Sequence, residues 1–218
     1  MKYILNFIEN NLFAIITALI AIITLFQTHK QIKISNKQYL FDKRLSKYLL
    51  AKGLLELYKD NESLLDYTDD PDDEAIIVDY QFINLTNNNY LKDVTCIINE
   101  PINNEFKNNF LVKIEELKKL SNEVRFLFQN KNGLLLSNFI MKYQNVLMEL
   151  YKYQNVLDLM KKNEIPRKNK PTYNELQNEY GELKHRHRLY DAIDDLKKSY
   201  REVVCKKTVN EIEKSIKL

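Results

Sequence analysis

Fifteen consecutive residues, Leu12–Phe26 (LFAIITALIAIITLF), carry no charged and no amide side chain, and they constrain everything else the chain can be. Ten are Leu, Ile or Phe, three are Ala and two are Thr. On an insertion scale, ten such residues contribute roughly −3 to −6 kcal/mol, and no charge opposes them. As a helix the run rises about 22 Å against a hydrocarbon core near 30 Å. Adding Asn10, Asn11 and Gln27 brings it to 18 residues, the short end of what can span. A buried core helix normally shows a polar side, and this run has none. A cleaved leader ends in a small-x-small site, whereas this exit reads Gln27-Thr28-His29 behind a weak start of Lys2 and Glu9. The segment reads as a transmembrane helix over 12–27.

Charge then orients it. Residues 1–47 hold seven Lys/Arg and two Asp/Glu, net +5, and the remaining 171 residues hold 26 and 28, net −2. The whole positive excess stands next to the span, so a basic balance here is no sign of nucleic-acid binding. Lys30, Lys33, Lys37, Lys43, Arg44 and Lys47 follow the apolar run, which puts the amino terminus outside and the long remainder in the cytoplasm. Lys30, Lys33 and Lys37 share a helical face, where each gains on the order of 1 kcal/mol from anionic lipid headgroups. Ordinary positive-inside flanking explains the same residues equally simply. Within the span Ala14, Ala18 and Ala21 fall on one face beside Thr17 and Thr24. Small residues so placed let two helices approach closely. They also fit plain dilution of an Ile-rich span, and the sequence leaves both readings open.

Three glycines and four prolines leave little material for hairpins or phosphate loops, and the rest reads as helix after helix. Asn36–Lys59 has a broad apolar side (Leu45, Leu49, Leu50, Leu54, Leu57, Tyr58). The acidic stretch from Asp60 to Asp79 fails as a calcium loop: from Asp66, the turn position is Pro71 and the bidentate position is Ile77. Asp70 and Pro71 instead fit a helix start. Ile76–Leu85 is rich in β-branched and aromatic residues, but the Ile76, Tyr80, Ile83 spacing favours helix over strand. A short helix is expected over Tyr90–Asn99, and a longer amphipathic one from Phe106 to Phe128, stopping near Gly133. Across Leu134–Lys161, residues Phe139, Tyr143, Val146, Leu150, Tyr153, Leu157 and Met160 recur in steps of four and three, an a/d seam. Asn163–Pro171 is a basic loop. Thr172 and Glu175 have capping-box spacing and open a last helix that runs to the carboxyl end, bent at Gly181.

No chemistry assembles along this pattern. His185 and His187 lie in Lys184-His185-Arg186-His187-Arg188, where i and i+2 diverge on a helix and the neighbours repel a metal; the run reads as a solvated face. Cys96 and Cys205 sit among apolar neighbours and read as core thiols of a reducing compartment. Carboxylates fall in caps and on polar faces, and no G-x-S-x-G or S-x-x-K occurs. The chain reads as a non-enzyme with no cofactor, no metal, no nucleic acid and no small-molecule substrate.

Several stretches resemble uncharacterised bacterial single-pass membrane proteins with a helical cytoplasmic domain. They are QYLFDKRLSKY (Gln38–Tyr48), FINLTNNNYL (Phe82–Leu91), FLVKIEELKKLSNEVRFLF (Phe110–Phe128), NFIMKYQNVLMELYKYQ (Asn138–Gln154) and IEKSIKL (Ile212–Leu218). A short span followed by basic residues and a helical domain is also similar in layout to membrane-anchored effectors of bacterial anti-phage systems. The expected function is that of a membrane-tethered interaction protein, a defence effector or sensor acting by self-association or on a protein partner; the alternative is an accessory or scaffold subunit of another membrane complex. The expected organisation is all-α: an extracytoplasmic terminus (1–11), a span (12–27), a juxtamembrane basic helix (28–60) and a cytoplasmic bundle of about five helices (61–218).

Overall fold

The computed structural model describes residues 2–66, 78–100, 104–164 and 172–216. Among these residues every regular element is helical and no strand occurs. The chain divides into two compact units, Met1–Lys43 and Arg44–Leu218. Seven α-helices and two 3-10 helices make up the described chain. They are α1 (Lys2–Asn61), a first 3-10 helix (Glu62–Leu65), α2 (Val78–Thr86), a second 3-10 helix (Lys92–Ile98), α3 (Asn104–Leu127), α4 (Lys131–Glu164), α5 (Tyr173–Tyr180), α6 (Glu182–Cys205) and α7 (Thr208–Ile216). The all-α expectation holds, and the count of about five is too low. The proposed Asp70–Pro71 start and the acidic residues around it lie outside the described residues, as does most of the basic loop after Asn163.

The second unit is organised by α4. Its seam residues Phe139, Tyr143, Val146, Leu150 and Tyr153 are fully buried, with Met160 nearly so and Leu157 half-buried. Steps of three and four put them on one stripe, and each fully buried side chain of this size stabilises by about 1.5–3 kcal/mol. This helix packs chiefly against α3 and α6, and touches α2, α5, α7 and the second 3-10 helix. Two buried serines hold α3 to α4: Ser121 Oγ donates to the Ser137 carbonyl at 2.9 Å and lies 2.8 Å from Ser137 Oγ. On the Arg44–Asn61 part of α1, the Tyr58 ring meets Phe139 edge-on at 5.9 Å and Tyr200 at 4.7 Å. Tyr48 and Lys52 both reach Glu213 of α7, at 2.5 and 3.1 Å. Leu49, read from the sequence as part of the apolar side, is exposed.

The breaks between helices have local causes. Asn130 Oδ1 accepts the Gly133 N–H at 2.8 Å and starts α4, so Gly133 lies inside the first turn of that helix and does not end α3. A Cβ at Gly133 would stand 1.8 Å from the Phe128 carbonyl oxygen, a position no other residue can occupy without moving the corner. The Thr172–Glu175 capping box is present, with Thr172 N donating to Glu175 Oε2 at 2.8 Å. The long last helix is corrected to three. Gly181, with φ +62, closes α5 in the left-handed conformation that glycine adopts without a Cβ penalty. Lys207, with φ +49, separates α6 from α7. Tyr90–Asn99 is likewise corrected: Asn88 Oδ1 accepts the Tyr90 and Leu91 N–H groups, and a 3-10 helix follows in place of an α-helix.

Candidate functional site

The apolar segment Leu12–Phe26 lies wholly within α1 and stands exposed along its whole length, from Leu12 at 52% through Phe13 at 85% to Phe26 at 74%. This helix is long and apolar enough to cross a membrane, and none of its apolar window is buried inside the protein. Both hydroxyls in the run turn back on the helix: Thr17 Oγ1 donates to the Phe13 carbonyl and Thr24 Oγ1 to the Ile20 carbonyl, each at 2.8 Å. In hydrocarbon each polar group needs an internal partner, and this arrangement supplies one. Ala14, Thr17, Ala18, Ala21 and Thr24 share a side as their spacing requires, all of them exposed.

Lys30, Lys33 and Lys37 are exposed on the same helix and join no ion pair among the described residues. Asp42 is the sole acid between Asn10 and Leu55 in the sequence. Lys43 sits 5.3 Å above the Tyr39 ring. Ile32, Ile34, Tyr39 and Leu40 are exposed beyond the uncharged run.

The second unit contains polar features that sequence reasoning missed. Arg186, assigned above to a solvated basic face, is 6% exposed, and Glu182 is fully buried. Arg186 Nε donates to Glu182 Oε1 at 2.8 Å, the Tyr153 hydroxyl donates to the same oxygen, and Gln177 Nε2 donates to Oε2 at 2.8 Å. Burial alone raises the Glu182 carboxyl, but these three donors outweigh it and hold the group below the usual carboxylate range. Burial, reinforced by the hydrogen bond to Glu182, raises the Tyr153 phenol. The signal was available: Glu182, Arg186, Leu189, Ile193 and Leu196 continue one stripe in steps of four and three, so the pair occupies core positions.

Both cysteines are exposed, which corrects their assignment to the core. Cys96 is carried outward on the 3-10 helix between buried Val94 and Ile97, and Cys205 follows exposed Val204 at the end of α6. Leu183, near the start of α6, is also exposed. A groove of about 330 Å³ is walled by Leu55, Val203, Val204, Val209 and Tyr200, with Lys52, Glu56 and Lys59 beside them. Its lining holds no Ser, His or Cys. Among the described residues, no group of three or more His, Cys, Asp or Glu is placed to hold a metal ion. No protein-family model, no curated protein and no solved structure matches this chain.

Proposed function

We propose that this chain is a membrane-tethered, non-enzymatic interaction protein that acts through self-association. In this reading α1 spans a bacterial cytoplasmic membrane over 12–27, with the amino terminus outside and the helical domain in the cytoplasm. Lys30, Lys33 and Lys37 meet anionic headgroups on the inner side. The observation that carries the proposal is the fifteen-residue apolar run left exposed on all sides of a helix, followed by the chain's whole positive excess. Exposed apolar surface of that extent costs about 25 cal/mol per Å² in water, and lipid removes the cost. Self-association is supported by the small-residue side of the span, and an effector role by resemblance of layout. Purification of the full chain from native membranes tests the reading. Homo-oligomers in the membrane fraction are expected. A stoichiometric heterologous partner would point to a scaffold subunit, and recovery in the supernatant without detergent would overturn the membrane assignment.

A further inference from the structure

The exposed apolar side of α1 does not stop where the uncharged run stops. From Ala14 the steps of four and three continue through Ala18, Ala21, Leu25, Thr28, Ile32, Ser35 and Tyr39, all within the unit Met1–Lys43. At the 3.5 residues per turn of a left-handed supercoil these positions stay on one narrow stripe. One set holds Ala18, Leu25, Ile32 and Tyr39, and the alternate set holds the small residues Ala14, Ala21, Thr28 and Ser35. Leu25, Ile32 and Tyr39 are 70%, 55% and 62% exposed, so none of the described residues covers them.

Charge placement agrees with one occupant. Lys30, Lys33 and Lys37 fall on the side of the helix away from the stripe, where two copies brought together would not oppose them. The flanking positions hold His29, Gln31, Asn36, Gln38 and Lys43, which are one imidazole, three amides and one cation. Lys43 already lies over the Tyr39 ring of its own chain. Asp42 takes the next position of the repeat, where it would face the same carboxylate of a second copy, so the seam ends at Tyr39.

We infer that this stripe is the homodimer seam, a parallel two-helix contact from Ala14 to Tyr39 in which a second copy of the chain covers Leu25, Ile32 and Tyr39. The inference rests on the self-association reading above and adds its register, its orientation and its extension beyond the bilayer. Two copies inserted in the same sense can pair only in parallel. Ile34 and Leu40 lie off the seam, so apolarity alone does not select it.

Cysteine cross-linking of the full chain in native membranes tests the seam, in a background carrying Cys96→Ser and Cys205→Ser. Ile32→Cys and Ser35→Cys should each form a disulfide-linked dimer under mild oxidation. Lys30→Cys, Lys33→Cys and the equally exposed Ile34→Cys should not. Ile32→Glu with Tyr39→Glu should abolish the cross-link at Ser35→Cys. Equal cross-linking around the helix, or none while the detergent-extracted chain still sizes as an oligomer, would overturn the seam and leave self-association standing. A chain monomeric by size and unlinked at every position would overturn both.

Discussion

Glu182 and Arg186 stand one turn apart on α6, both buried, with the guanidinium Nε 2.8 Å from the carboxylate. Tyr153 of α4 and Gln177 of α5 complete the carboxylate's hydrogen bonding, so one side chain binds three helices. An ion pair of this kind gives little net stability over a well-packed apolar substitute, but a broken one leaves an uncompensated buried charge.

Single and double replacement should therefore diverge. Arg186→Met is expected to cost about 3–5 kcal/mol in denaturant unfolding, and Tyr153→Phe about 1.5–3 kcal/mol. Glu182→Leu combined with Arg186→Met should recover most of the single-mutant loss. An additive double mutant would contradict the pairing.

Stability should fall at both ends of the pH scale for different groups. The folded Glu182 carboxyl is held below its unfolded value. Its contribution is complete above the ordinary carboxyl pKa of about 4.3 and is lost as pH falls through and below that range. Glu182→Gln should flatten this acid limb. Burial raises the Tyr143 phenol, and burial with Glu182 raises that of Tyr153. Both favour the folded state below the unfolded tyrosine pKa of about 10 and withdraw that support as pH rises above it. Phenolate absorbance should show these rings ionising only with unfolding, while Tyr90, pushed up by burial to about 12, reports locally.

The three glycines should respond to alanine in three different ways. Gly53 has open space around a Cβ inside α1, so Gly53→Ala should stabilise by about 0.5–1 kcal/mol. Gly181 also has open space but a positive φ, so Gly181→Ala should cost about 1–2 kcal/mol of backbone strain. Gly133→Ala meets the Phe128 backbone at 1.8 Å and should cost the most, about 3 kcal/mol. Thermal melts of the three variants would check the order.

Native thiol titration should find both cysteines accessible. Cys96 and Cys205 are exposed, so a thiol reagent should label two sites without denaturant. Protection of either until unfolding would contradict the placement of the second 3-10 helix or of the end of α6.

The sequence carried the helical architecture where periodicity was long and uninterrupted. Phe139 to Met160 repeats often enough that only one helical face satisfies it, and Thr172 with Glu175 is a purely local signal. Legibility failed where three-dimensional neighbours decide. Cys96 reads as apolar, yet a 3-10 helix turns every three residues and rotates it outward. Val203, Val204 and Cys205 are consecutive, and a helix that buries the first exposes the other two. Arg186 sits in a run of basic residues, and its burial depends on Glu182, whose other partners include a helix 29 residues away in sequence. The left-handed Lys207 has no glycine or asparagine to announce it.

Thr17 and Thr24 have each given their hydroxyl hydrogen to their own spine, and every other side chain from Leu12 to Phe26 is hydrocarbon. Placed in a bilayer, this segment would bury no side-chain hydroxyl hydrogen without a partner.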